Sequence, residues 1–249
     1  MANPHFQNMI LWAGNNEATE AKKDQPMFLP YPSDQTFYGY FNDFMTYNSG
    51  DWTITTTEAG GGSASEEIIS GAGGQLRISN DDAASDSDFL QLKGEPFRLS
   101  TSKRAYFSAR FKCNDVDQND FIMGLQITDT TPLDVSDGVY FISVDGSADL
   151  LLNVEKDNSV DATTVATMTD DTFITVTWFV DPDRAGVYYS INNATPVKVS
   201  TAKLPDDEDL TISFGIQNGE AAGNTLTIDY VKDLCLQLHI QLLLSIWYD

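Results

Sequence analysis

The chain is poor in the residues that carry most protein chemistry. Its 249 residues include two cysteines, Cys113 and Cys235, and two histidines, His5 and His239. Two cysteines are too few for a disulfide-built scaffold, and we do not read them as a pair. Two histidines near opposite ends leave no material for a Ser-His-Asp or Cys-His arrangement, and two distant cysteines add no credible zinc set. There is no G-x-S-x-G, no phosphate-binding loop and no H-E-x-x-H. Cations are scarce too. Fourteen Lys and Arg face 37 Asp and Glu, for a net charge of −23. A phosphate backbone or an anionic membrane would be repelled, so neither nucleic acid nor a membrane is expected as a partner. No run of about 18 apolar residues exists, and the opening MANPHFQNMILWAG has no cation to make a secretory signal.

What is present is aromatic and β-branched. Phe, Tyr and Trp together number 28, enough for a real core despite the charge. From Phe37 onward, runs of five to nine residues alternate with turn residues. They are WTITTT (52–57), QLRIS (75–79), DFLQLK (88–93), AYFSARFK (105–112), DFIMGLQIT (120–128), GVYFISV (138–144), DLLLNVE (149–155), FITVTWFVD (173–181), GVYYSIN (186–192), PVKVS (196–200), LTISFGIQ (210–217) and NTLTIDYV (224–231). In AYFSARFK, Phe107, Ala109 and Phe111 share a face, and Tyr106, Ser108 and Arg110 take the other. In NTLTIDYV, Leu226, Ile228 and Tyr230 alternate with Thr225, Thr227 and Asp229. About a dozen strands with no long 3.6-residue period exclude parallel βαβ units. An all-β, antiparallel sandwich of the jelly-roll kind is the economical reading. Asp137-Gly138, Asp145-Gly146 and Asn218-Gly219 supply turns that favour positive φ.

The ends differ from the body. Residues 1–36 hold Pro4, Pro26, Pro30 and Pro32 and read as an extended arm. Residues 37–232 form the sandwich. Residues 233–249 read as an amphipathic strand or tail, with Leu234, Leu236, Leu238, Ile240, Leu242, Leu244 and Ile246 at every second position. Left unpaired, such a strand is an aggregation hazard.

Two kinds of site are open to such a chain. Calcium prefers oxygen ligands, and the best-placed carboxylates are Asp115, Asp117 and Asp120 in NDVDQND. Asp81, Asp82, Asp86 and Asp88, the run Asp206 to Asp209, and the pair Asp181 and Asp183 are further candidates. None has an EF-hand spacing, and solvated turn carboxylates are the plainer reading, so no cofactor is expected. Trp52, Trp178, Phe179, Tyr188 and Tyr189 could make a sugar-stacking platform. Period-2 placement with Ile174 and Val176 assigns Trp178 to the core instead, and Tyr188 and Tyr189 point to opposite faces. A glycosidase would need two carboxylates about 5–10 Å apart. The nearest string, Glu155 to Asp161, lacks the Glu-x-Asp-x-x-Glu alternation of sandwich glycosidases, so no enzymatic activity is expected.

From Phe37 to Val231 the chain resembles a family encoded in tailed-bacteriophage genomes beside the major capsid protein. The strings that carry the likeness are FYGYFNDFMTYNSGDWTIT, FIMGLQITDTTPLDVSDGVYF and LPDDEDLTISFGIQNGEAAGNTLTIDYV. The resemblance implies a LamG- or concanavalin A-like jelly roll. It also implies a capsid decoration (cement) protein on the outer surface of the virion, stabilising the major capsid protein lattice as a homo-oligomer, trimer or dimer. No catalytic residues carry over. Phe28, Leu29, Tyr31, Phe37 and Tyr38 are the expected contact anchors, because buried aromatics dominate interface energy. The alternative is a lectin-like module on a virion surface that binds a glycan.

Overall fold

The structure is a computed structural model, and residues 37–200 and 202–236 are described. Fifteen strands form among them: β1 (Phe37–Asn42), β2 (Trp52–Thr57), β3 (Ser65–Ile69), β4 (Gln75–Ser79), β5 (Ser87–Leu92), β6 (Ala105–Cys113), β7 (Asn119–Gln126), β8 (Gly138–Ser143), β9 (Asp149–Lys156), β10 (Ser159–Thr167), β11 (Ile174–Asp181), β12 (Gly186–Ile191), β13 (Val197–Val199), β14 (Thr211–Asn218) and β15 (Thr225–Leu236). The described helical structure is two 3-10 turns, Ser49–Asp51 and Pro182–Arg184.

One sheet has eight strands in the order β13-β12-β11-β6-β15-β4-β3, with β1 also paired to β15. The other has seven, in the order β10-β9-β8-β7-β14-β5-β2. All pairings are antiparallel. The two sheets pack face to face as a jelly-roll sandwich, because their central strands each have an apolar face to bury. Phe107, Ala109 and Phe111 of β6 turn inward with Trp178 and Val176 of β11, and Phe107 stacks on Trp178 at 5.8 Å. From the other sheet come Leu90, Phe121, Met123, Phe141, Phe214 and Ile216.

Several expectations need correction. Positive φ occurs at Gly146, but not at Gly138 or Gly219. It falls instead at Asp157-Asn158, the two-residue turn between β9 and β10, and at Asn192-Asn193 after β12. Asn tolerates the left-handed region because its short amide can bond to its own backbone. The last strand also departs from simple alternation. A β-bulge between Ile228 and Tyr230 inserts one residue against β6. Such an insertion moves every later side chain to the other face. Leu226 and Ile228 point inward, but Tyr230, Lys232 and Leu234 point out, and Val231, Asp233 and Cys235 point in. The strand runs on to Leu236, past the boundary placed after residue 232, with β1 on one side and β6 on the other.

The phase change buries Asp233 between the sheets. Its Oδ1 has no partner, and the Cys235 thiol donates to Oδ2 at 3.7 Å. Burial holds this carboxyl well above the ordinary carboxylate range.

Candidate functional site

Two sheets leave two outer faces, and they differ sharply. On the seven-stranded sheet, Phe89, Ile122, Tyr140 and Ile142 turn away from the main core yet are buried. The cover is the segment 127–137, whose Ile127, Leu133 and Val135 pack onto them. Side-chain amides pin this strap at its start. Gln91 Nε2 donates to the Ile127 carbonyl at 3.1 Å, Gln91 Oε1 accepts from Asp129 N at 3.0 Å, and Gln126 Nε2 donates to the Pro132 carbonyl at 3.1 Å. Its far end is tied to the β9–β10 turn, where Asn158 N donates to the Ser136 carbonyl at 2.9 Å and Asp157 N to Asp137 Oδ1 at 3.1 Å.

Beside the strap lies a small polar cluster. Tyr140 Oη donates to Glu155 Oε2 at 2.6 Å and accepts from Asn153 Nδ2 at 3.3 Å. Burial raises the Glu155 carboxyl above its ordinary value, and the charges of Asp134 and Asp137 add to the rise. The string that brought Glu155 to attention does not make a carboxylate pair. Asp161 is opposite the core residue Val154, and Val160 is opposite Glu155, so Glu155 and Asp161 point to opposite faces of the sheet.

Among the described residues, the outer face of the eight-stranded sheet carries no such strap. Cross-strand register sets Lys198 of β13 beside Tyr188, Tyr188 beside Phe179, Phe179 beside Tyr106, and Tyr106 beside Leu234. At about 4.8 Å per strand, this row across five strands spans about 19 Å. Phe179 and Tyr188 stack at 5.2 Å with planes 11° apart, and both rings are half-buried. Lys232 Nζ sits 5.4 Å from the centre of the Tyr106 ring. A neighbouring row is a floor of small hydroxyls, in which Thr177 Oγ1 donates to Ser108 Oγ at 3.0 Å and Ser108 Oγ to the Val176 carbonyl at 3.1 Å. Further along, the Arg110 guanidinium lies 4.1 Å from the Phe173 ring centre and pairs with Asp229 at 2.8 Å. Tyr106, Ser108 and Thr177 are buried beneath this face, so the half-buried Phe179 and Tyr188 rings and the exposed Lys198 beside them are the groups that can hold a flat, hydroxyl-rich ligand by stacking and hydrogen bonding.

The residues named from sequence scatter. Of the aromatic set, Trp52, Trp178 and Tyr189 pack into the core, while Phe179 and Tyr188 meet on this outer face. Burial raises the Asp115 carboxyl above its ordinary value and the nearby Asp117 carboxyl adds to the rise, but Asp120 turns away to accept from Asp145 N at 2.9 Å. No group of three or more His, Cys, Asp or Glu is arranged to hold a metal among the described residues. Asp206 and Asp207 pair with Lys156, Asp209 with Arg98, and Asp181 and Asp183 with Arg104. Phe28, Leu29, Tyr31, His5 and His239 lie outside the described residues, as does the Phe37 side chain. Tyr38 faces inward, its ring stacked on Phe97 at 6.0 Å and its hydroxyl accepting from Arg98 N at 3.2 Å, so it supports the fold instead of projecting as an anchor. Cys113 and Cys235 are both buried free thiols.

No protein-family model matches the chain, and no curated protein does. Solved structures do. A protein of unknown function from Shewanella oneidensis MR-1 aligns with a TM-score of 0.57 at 16% identity, over 88% of this chain and 95% of that one. An endo-1,3-beta-glucanase from Streptomyces sioyaensis aligns with a TM-score of 0.54 at 12% identity, over 84% and 99%. Peanut lectin aligns with a TM-score of 0.53 at 11% identity, over 82% and 99%. At these identities the likeness establishes a concanavalin- or lectin-like jelly roll and nothing finer. The same architecture serves both a lectin and a glucanase, so chemistry must be argued from the site.

Proposed function

We propose that this chain is a non-enzymatic, lectin-like carbohydrate-binding module carried on a virion surface. The observation that carries the reading is the stacked Phe179–Tyr188 ring pair on the outer face of the eight-stranded sheet, with the exposed Lys198 beside it. A sugar ring has an apolar C–H face and a hydroxyl edge. The rings meet the first, and Lys198 can donate to the second. The lectin among the structural neighbours supports a carbohydrate ligand. The strap over the opposite face and the opposed directions of Glu155 and Asp161 support binding without hydrolysis. Weak contacts suffice where many copies share one surface, because linked copies bind with effective concentrations far above that of a free module. A glycan array read with and without a chelator tests this. Binding that survives chelation and is lost in Phe179→Ala and Tyr188→Ala is expected; absence of any glycan signal would refute it.

A second reading, capsid decoration, has its own observation. Among the described strands β1 pairs with β15 alone, Phe41 on it is 44% exposed, and Met45 just beyond is 68% exposed. Exposed large apolar groups beside a sheet edge suit a protein contact. In this reading residues 1–36 and the β1 edge grip the major capsid protein, and binding only the assembled lattice shifts the shell toward its intact state. A chain lacking residues 1–36 should fold and lose affinity for shells. A particle image that places the chain away from the outer surface would dispose of this reading.

A further inference from the structure

Just past the Phe179–Tyr188 pair, the same face turns from aromatic to ionic. Asp181 takes the next outward position on β11 after Phe179, opposite Gly186 of β12, and Arg104 stands directly before β6 beside it. The 3-10 turn Pro182–Arg184 joins the two strands at this end. Its shape is set from within, because the Asp181 carboxylate accepts from Asp183 N at 3.1 Å and Pro182 fixes the first φ of the turn. Arg104 reaches Asp181 at 4.0 Å and also pairs with Asp183, and Arg184 lies 3.6 Å from Asp181.

Lys198 closes the other flank. Its Nζ donates to the Arg184 carbonyl at 3.1 Å, which uses one of its three donors. Its stem crosses Gly186, where an added Cβ would stand 2.7 Å from Lys198 Cε and 2.8 Å from Tyr188 Cε2. The missing side chain is what lets the lysine lie along the sheet against the ring. Across the turn, the Asp183 side chain is 74% exposed, so its carboxylate keeps acceptor positions that Arg104 does not fill. Both signs of charge therefore border the rings. A carboxylated sugar drawn to Lys198 or Arg104 meets Asp183 and Asp181, and an amino sugar drawn to Asp183 meets Lys198 and Arg104. A neutral sugar meets no such conflict, because each hydroxyl can donate to a carboxylate or accept from an ammonium.

We infer that the ligand of this face is a neutral sugar, its C–H face against the Phe179–Tyr188 pair and its neighbouring hydroxyls bound by Lys198 as donor and Asp183 as acceptor. This rests on the carbohydrate-binding reading and adds the charge class of the ligand and the two residues that select it.

The test is affinity electrophoresis of the full chain through gels containing mannan, galactan or dextran, with polygalacturonate as the acidic counterpart. Retardation by at least one neutral polysaccharide, stronger than that by polygalacturonate, is expected. Lys198→Met and Asp183→Ala, both exposed and off the core, should each weaken the neutral binding about threefold to tenfold, with melting curves confirming that both variants are folded. Asp183→Ala should also narrow the gap to polygalacturonate, since it removes a repelling carboxylate, whereas a structural loss would weaken both bindings alike. Retardation by polygalacturonate as strong as by any neutral chain overturns the neutral class and leaves the module reading standing. Unchanged neutral binding in either folded variant overturns the role given to that residue. No retardation by any of the polysaccharides overturns both readings.

Discussion

A buried carboxyl pair should make this protein lose stability as the solution becomes alkaline. Asp88 of β5 is fully buried, facing inward beside the core residue Ile216. Thr56 Oγ1 donates to its Oδ1 at 2.6 Å. Its Oδ2 has no conventional donor and meets the carboxyl of Glu66, which reaches in from β3 at the edge of the other sheet. A second carboxyl this close to a buried one disfavours the charged form of Asp88. Burial, with the bond to Glu66 adding to it, pushes the Asp88 carboxyl from 3.8 up to about 8. The folded state therefore holds a proton that the unfolded chain releases near pH 4. The contribution is fully present below about pH 4 and is lost as pH rises through about 8. About four decades at roughly 1.4 kcal/mol each set an upper bound of about 5–6 kcal/mol.

The perturbation is Asp88→Asn, which keeps the shape, supplies an N–H donor to Glu66 and removes the titration. Urea unfolding of both proteins at about pH 5, 7 and 9 gives the comparison. General repulsion among the many acids destabilises both alike, so the difference between the two curves is the informative quantity. The wild type should fall relative to the variant by about 2–5 kcal/mol from pH 5 to 9, or about 2–4 °C of melting temperature per kcal/mol. Parallel curves would show that Asp88 does not hold a proton in the folded state.

Other expectations follow from the same packing. Trp178→Ala removes a fully buried ring stacked on Phe107 and should cost about 3–5 kcal/mol in urea unfolding. Tyr188→Ala, on the outer face, should cost about 1 kcal/mol or less by the same measurement, so a loss of glycan binding there would not be a loss of fold. Burial pushes both the Cys113 and Cys235 thiols up. Neither should react with a thiol reagent in the folded protein, and both should react once urea unfolds it.

Much of the fold was legible because burial imposes a period of two. Strands such as β6 and β11, with one face in the core, wrote that period plainly, and their ends fell within a residue or so of the expected runs. β1, β3 and β10 went unread for a shared reason. Each lies at a margin of its sheet, where contrast between faces is weak. SVDATTVAT of β10 has no fully buried residue in the strand, so nothing selects apolar residues at alternate positions. The bulge in β15 left even less trace. Leu226, Ile228 and Tyr230 look like one face, and only pairing with β6 reveals that Tyr230 has crossed to the other.

The candidate site was less legible still, and the cause is its dimension. Phe179, Tyr188 and Lys198 run perpendicular to the strands, so no two of them are linked by a local period. Phe179 and Tyr188 were singled out as aromatics, but within a set whose other members, Trp52, Trp178 and Tyr189, belong to the core. A strand pattern assigns a side chain to a face; it does not say which distant strand completes the row. The same limit hid Asp88, which stood among Asp81, Asp82 and Asp86 as one more acidic turn residue. Its alternation with Leu90 was visible, and that alternation alone would have put a carboxyl inside the sandwich. What could not be read was the neighbour: Glu66 lies in SEEII, a strand without an apolar face, and a buried acid is tolerable only when it is neutralised or paired.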